Sequence, residues 1–275
     1  MDNVFVELTK RMLKKGYDSE LLSTPGFIAH VDNNKESVLI IGLNPAGGKK
    51  DADRERVGIL FLNYIPIDCK DNSYKAIKEL TNNTFSCELY KAMESVLGKA
   101  NFIWDWCNEE NIIENYDERM RKFNNIGFED EEIKIIQQFM DDRKNAKYQV
   151  HIGDLFYYHQ TSSFVDAIKY HYTRDTKKNP YDLNPYVISM LDEHIKALGK
   201  KPKFIYINSA LASHYIDRAL REEKGLEIKD FGGFLYNGIP IVLGAAFSGL
   251  GAMDSFSRKR VEVILREIIE GNFKL

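Results

Sequence analysis

Short apolar runs alternate with helical patterns along most of this chain. Four runs have the length and composition of buried strands: Val38 to Leu43, Val150 to Tyr158, Phe204 to Asn208 and Ile239 to Leu243. Each is followed by small or polar residues and then by apolar positions at helical spacing. Strands separated by helices in this way are typical of parallel sheets covered on both faces. We therefore expect an α/β protein with three α/β/α layers and a four-stranded parallel sheet.

The helical patterns suggest how the rest of the chain is organised. Residues 3–15 carry apolar side chains at helical spacing, which predicts an N-terminal amphipathic helix. The stretch from about 69 to 147 is mostly helical in pattern and is interpreted as a long insert between the first two strands. No repeat or low-complexity segment divides the chain. We expect one domain spanning residues 1–275.

The last helix has the clearest start and stop signals. Asp254 or Ser255 is a suitable N-cap residue, and Gly271 is a suitable stop. Between them, one face carries a stripe that should be buried: Val261, Ile264, Leu265 and Ile268.

Composition excludes several classes of protein. The 275 residues contain three widely spaced cysteines and no CxxC motif, and the histidines show no recognised ligand spacing, so we predict no metal, metal cluster or cofactor. No apolar run is long enough to span a membrane, and the charged N-terminus lacks a signal-peptide core, which favours a cytoplasmic protein. Because the net charge is −3, binding to nucleic acid would require a local basic patch.

The first strand opens into a glycine-rich turn, "GLNPAGGKK". It is not a P-loop, since Gly48 occupies the lysine position and Lys50 the hydroxyl position of that motif. It is not a dinucleotide fingerprint either, because Asn44 stands where the second glycine should be. What remains is an asparagine at the carboxyl end of a strand, where α/β proteins bind ligands.

Residues Gly42, Leu43, Asn44 and Pro45 resemble the first motif of the uracil-DNA glycosylase superfamily, especially its mismatch-specific and single-strand-selective branches. The resemblance implies that Asn44 holds the water that attacks the sugar, and that the surrounding backbone contacts the base. A turn could use the same residue types for conformational reasons alone.

The run "HIGDLFYYHQT" is similar to the strand with which this superfamily reads the extruded pyrimidine, and its Asp-Leu-Phe-Tyr resembles poorly characterised members. The match puts Asp154 in the position of the base-reading asparagine of uracil enzymes. An ionised carboxylate only accepts hydrogen bonds, which suits an exocyclic amino group such as that of cytosine. His159, later in the same run, is a further candidate for contact with the base.

The run "VLGAAFSGLGAMDSF" resembles the second signature of the superfamily, with Ser248 and Gly249 in its Ser-Gly-Leu segment. This resemblance implies a loop that grips DNA phosphates, assisted by Arg258 in the following helix. Ala246 replaces the family histidine or asparagine that stabilises the departing base. Either another group such as His159 or Lys49 takes that role, or catalysis is weak or absent.

Tyr74 could stack beneath an extruded base, although its helical spacing equally suits a core position. The leading hypothesis is a DNA glycosylase-like hydrolase that flips a uracil-like or modified pyrimidine out of DNA, as in DNA repair, and cleaves its N-glycosidic bond. The alternatives are a catalytically impaired module of the same fold that binds nucleic acid or a nucleotide, and an unrelated α/β hydrolase or transferase.

Overall fold

The computed structural model describes residues 31–43, 87–104, 138, 141–155, 184–247 and 252–273. The predicted N-terminal helix lies outside these residues. Within them the elements follow in this order: β1 (Glu36–Gly42), α1 (Cys87–Leu97), β2 (Phe102–Trp104), β3 (Tyr148–Asp154), α2 (Asn184–Ala197), β4 (Ile205–Ile207), α3 (Ala210–Lys224), β5 (Gly233–Tyr236), β6 (Ile239–Leu243) and α4 (Ser255–Glu270).

The strands form one mixed sheet in the order β2-β3-β1-β4-β6-β5. All neighbours run parallel except β5, which is antiparallel to β6. The β5–β6 hairpin turns at Asn237 and Gly238, both with positive φ (52° and 76°). Two successive residues with positive φ match the twist of a tight hairpin, and Asn-Gly is the preferred sequence for such a turn.

The predicted α/β class is confirmed, but the prediction of a four-stranded parallel sheet is wrong. The two additional strands are β2 and β5. β2 has only three residues and lies within the stretch that was predicted to be a mostly helical insert. β5 is the antiparallel edge strand, and its signal was the Asn-Gly turn that follows it.

Alternate residues of β1 face two separate apolar layers. Val38 and Ile40 belong to a core shared with α1 and α4, whereas Leu39 and Ile41 belong to a core shared with α2 and α3. The four side chains are 0–1% exposed. Burial on both faces explains why the strand reads as a continuous apolar run, and it makes β1 a central strand of the sheet.

The predicted limits of α4 are confirmed. Asp254 is the N-cap, and its carboxylate accepts hydrogen bonds from the backbone N–H groups of Phe256 and Ser257. Gly271 ends the helix with φ 76°, a left-handed conformation that favours glycine. Val261, Leu265 and Ile268 are buried, and Ile264 is partly buried against the same core.

Among the helices of the described ranges, none is both long and apolar enough to cross a membrane.

Candidate functional site

Four residues line up across the carboxyl ends of four neighbouring strands. Gly42 of β1 pairs directly with Asp154 of β3. Asn208 and Gly244 are the next residues after the last β1–β4 and β4–β6 pairs, so they continue the same row. We call Asp154, Gly42, Asn208 and Gly244 the edge row. Two polar side chains therefore alternate with two glycines across the sheet.

The edge row lies where α/β sheets usually bind ligands. The next described helix after β1 is α1, which packs on one face of the sheet, while the helix after β4 is α3, which packs on the other. Because these two described helices pack on opposite faces of the sheet, a crevice is expected between the carboxyl ends of β1 and β4. Gly42 and Asn208 stand at its two sides.

The carboxylate of Asp154 lies over the backbone of Gly42. Asp154 is only 5% exposed. A Cβ atom added to Gly42 would lie 2.3 Å from Asp154 Oδ1, so the glycine is needed for this close approach. The chain just beyond is held by two hydrogen bonds: the Leu155 N–H donates to the Gly42 carbonyl (3.1 Å), and the Tyr186 hydroxyl donates to the Leu155 carbonyl (3.0 Å). The carboxylate is thus mounted on a fixed backbone.

Asn208 is one of two residues of this row that the sequence interpretation missed, and Gly244 is the other. The backbone N–H of Asn208 donates to the Ile41 carbonyl (2.8 Å), which fixes this residue beside Gly42. Its side-chain Oδ1 is buried, and within the described part of the chain no group donates a hydrogen bond to it. The available signal was a polar residue at the end of a predicted strand, directly before Ser209, the N-cap of α3.

At the other end of the row, Gly244 is covered by Tyr206. A Cβ on Gly244 would lie 2.4 Å from the Tyr206 ring, and the Tyr206 hydroxyl donates to the Ala245 carbonyl (2.6 Å). Burial raises the pKa of Tyr206, so it stays protonated and keeps this donor. The Ser213 hydroxyl donates to the Gly244 carbonyl (2.6 Å) and accepts from the Gly244 N–H (3.0 Å). The start of the loop after β6 is therefore firmly anchored.

The far end of that loop is anchored as well. The Met253 N–H donates to the Ala246 carbonyl (2.9 Å) and brings the two ends of the loop together. Arg258 donates to the Glu88 carboxylate (2.8 Å) and to the Phe247 carbonyl (3.5 Å). Its guanidinium thus already joins α4 to α1, and its predicted contact with phosphate stays a prediction.

Several predicted site residues cannot be compared with the structure. Gly42, Leu43, Asp154 and Arg258 are described, and Leu43 is partly buried against the core beneath α2 and α3. The other predicted site residues lie outside the described ranges, and their roles stay predictions: Asn44, Pro45, Tyr74, His159, Ser248 and Gly249.

Two buried histidines have structural partners. His151 Nε2 lies 3.2 Å from the Ser37 hydroxyl, and His194 Nδ1 donates to the Met190 carbonyl (2.7 Å). Burial lowers the pKa of His194, which keeps its ring neutral. The His194 ring packs against the backbone of Gly153, where a Cβ would lie 2.2 Å from it. In the described portion of the chain, no group of three or more His, Cys, Asp or Glu side chains could hold a metal ion.

Comparison of this chain with protein-family models, with curated proteins and with solved structures finds no match.

The chemistry of the edge row is that of a hydrogen-bond acceptor. A carboxylate such as that of Asp154 has acceptor sites only when it is ionised, and the atom of Asn208 that has no partner among the described residues is a carbonyl oxygen. Gly42, which lies between them, has no side chain and so lets the Asp154 carboxylate lie close to the backbone of β1. The site therefore suits a ligand that presents N–H or O–H groups.

Proposed function

We propose that the protein is a DNA glycosylase-like hydrolase, which cleaves the N-glycosidic bond of a uracil-like or modified pyrimidine base flipped out of DNA. The observation that carries the proposal is the buried Asp154 carboxylate lying over Gly42, at the point where the Gly42-Leu43-Asn44-Pro45 turn begins. In this proposal Asp154 reads the base from the end of β3. Asn44, the candidate for holding the water, follows the adjacent strand β1 in the sequence.

The chemistry needs few catalytic groups. Cleavage of an N-glycosidic bond develops positive charge on the sugar and negative charge on the leaving base, so a positioned water and a fixed electrostatic environment lower the barrier. In this proposal Asn44 holds the attacking water and Asp154 accepts a hydrogen bond from the base. The buried carboxylate also stabilises the cationic sugar through its charge.

A DNA partner is supported by the solvent face of α4. Phe256 is 82% exposed, and Lys259 and Arg260 are exposed three and four residues further along, on the same face of the helix. An aromatic ring beside two cations can stack on a base while the cations contact phosphates. This is the local basic patch that a chain with net charge −3 needs in order to bind nucleic acid.

Ala246 favours a second candidate function. Its methyl group offers no hydrogen bond to a departing base, and its carbonyl is already used to close the loop after β6. A protein with this substitution could bind an extruded base without cleaving its bond, as a catalytically impaired nucleic-acid or nucleotide-binding module.

The test of catalysis uses oligonucleotides that carry one uracil, one mismatch or one modified cytosine, followed by alkali to break abasic sites. We expect strand breaks with the wild-type protein and none with Asn44→Ala. Asn34→Ala is the matched control, because it makes the same change just before the amino end of β1. Binding without breaks on any substrate would favour the impaired module, whereas neither binding nor breaks would refute both candidates.

The test of the DNA surface reverses two charges on α4. Lys259→Glu combined with Arg260→Glu should weaken DNA binding and reduce the slope of log K against log[salt] by about 2, since each phosphate contact contributes about 0.9. Lys99→Glu combined with Lys144→Glu is the control, because both lysines are exposed at the opposite, amino end of the sheet. Equal losses in the two double variants would show that overall charge, not this helix face, controls binding.

A further inference from the structure

The Asn208 side chain is unusual because its buried acceptor is unused. Within the described residues, Oδ1 of this amide is screened from solvent and accepts no hydrogen bond. Buried polar atoms are nearly always hydrogen-bonded, because leaving one unpaired destabilises the fold. A residue that keeps such an atom at the carboxyl edge of two central strands is a candidate for binding a ligand there.

The position of Asn208 relative to Asp154 narrows the kind of ligand. The two residues lie on strands that flank β1, so their backbones are about 10 Å apart, twice the usual strand spacing of about 4.8 Å. The core shared with α1 and α4 contains Val150 and Ile152 of β3 and Tyr206 of β4. Because side chains alternate between the two faces of a sheet, Asp154 and Asn208, each two residues further along, are expected on this same face. Both side chains therefore approach the space beside Gly42 from opposite sides.

Two acceptor oxygens that approach one site from opposite sides fit one functional group especially well. An exocyclic amino group has two hydrogens that point apart within the plane of the base. One can be donated to the Asp154 carboxylate and the other to Asn208 Oδ1. A carbonyl at the same place, as in uracil, would face two acceptor oxygens and could donate to neither of them, so Asn208 Oδ1 would stay unpaired.

We propose that Asn208 is a specificity-determining residue that accepts the second amino hydrogen of the extruded base, so that the site prefers cytosine or an amino-bearing derivative over uracil. This inference rests on the function proposed above and adds to it the identity of the reading pair and the class of base.

The test measures binding of free cytosine, N4-methylcytosine, N4,N4-dimethylcytosine and uracil by calorimetry, together with strand cleavage of oligonucleotides that carry the same bases. We expect affinity to fall at each methylation step, because each step removes one hydrogen. Asn208→Ala should reduce the preference for cytosine over uracil by about 3- to 10-fold, the value of one neutral hydrogen bond, while uracil binding stays unchanged.

Two further variants separate a reading role from a structural one. Asn208→Leu removes the unpaired polar atom, so it should reduce the preference for cytosine as Asn208→Ala does, while the melting temperature holds or rises. Ser209→Ala removes the neighbouring N-cap, so it should lower the melting temperature and leave the preference intact. A structural residue would show the opposite result, with Asn208→Leu less stable and its base preference unaltered.

The outcomes distinguish this inference from the function on which it rests. Two results would overturn the inference and leave the proposed function standing. One is a wild-type protein that prefers uracil in binding or cleavage, and the other is an equal loss of affinity for cytosine and for uracil in Asn208→Ala. A wild-type protein that neither binds nor cleaves any of the bases would overturn both. A preference for cytosine that depends on Asn208 would support the inference even where no bond is cleaved.

Discussion

Substitution of Gly42 by alanine is the most direct perturbation of the edge row. The new Cβ would lie 2.3 Å from Asp154 Oδ1 and 3.5 Å from its Cγ, whereas ordinary contact begins at 3.4 Å. The carboxylate must therefore retreat by about 1 Å. Asp154 is 5% exposed, so it has little room to do so.

The size of the effect follows from two opposing contributions. Overpacking of a buried site usually costs about 1–3 kcal/mol. Alanine also restricts the unfolded chain more than glycine does, which returns about 0.4–1 kcal/mol. We expect Gly42→Ala to lower the free energy of unfolding by about 1–2 kcal/mol, and the melting temperature by about 2–4 °C for each kcal/mol.

A double-mutant cycle identifies the cause. Urea unfolding is measured for the wild-type protein, Gly42→Ala, Asp154→Ala and the double variant. Once the carboxylate is absent, alanine at position 42 should be tolerated, so the cycle should give a coupling energy of about 1–2 kcal/mol. Gly153→Ala is the control, because its Cβ would meet the His194 ring at 2.2 Å and Asp154→Ala should not relieve it. An equal effect of Gly42→Ala in both backgrounds would refute the proposed packing of Asp154.

Three further predictions concern the groups that support the site. Tyr206→Phe should lower stability by about 0.5–1.5 kcal/mol in urea unfolding, through loss of the bond to the Ala245 carbonyl. In a spectrophotometric titration Tyr206 should be among the tyrosines that resist ionisation, with Tyr90 and Tyr236, and Tyr206→Phe should show one fewer of them. Ser213→Ala should cost about 1–3 kcal/mol in the same assay, because the Gly244 N–H and carbonyl both lose a buried partner; no change would mean that water replaces the hydroxyl. The free energy of unfolding of the wild-type protein should fall as pH drops below 6.5, the ordinary pKa of histidine, because His194 takes up a proton in the unfolded state but resists it when folded. In chemical denaturation measured against pH, His194→Leu should flatten this part of the profile.

Much of the local structure could be predicted from the sequence because it depends on neighbouring residues. The run from Val38 is apolar on both faces, which predicted a buried strand, and the observed strand is Glu36–Gly42. The start of α4 at Asp254 and its stop at Gly271 follow from capping chemistry that acts within one turn of helix. The limits of the next strand were predicted less well, since the apolar run Val150 to Tyr158 was expected to be a strand and the observed β3 is Tyr148–Asp154.

The short strands were missed because their formation depends on partners distant in sequence. β2, Phe102–Trp104, is too short to show any period, and it is a strand because β3 lies beside it with Phe102 opposite Tyr148. Aromatic residues favour strands and apolar cores alike, so "FIW" alone could not decide between them. The class of fold was therefore predictable, but the number and direction of the strands were not.

The sequence alone determined the buried strands and helix caps, and it singled out Gly42 and Asp154 as candidates at the ends of two strands. Only the tertiary structure decided that these two residues are neighbours in register, with Asn208 on the other side. Strand order is set by the crossover connections and by packing of helices on both faces, which no local pattern encodes. Gly42, Asp154 and Asn208 span more than 160 positions of the sequence, and they lie side by side only because β3, β1 and β4 pair in the sheet.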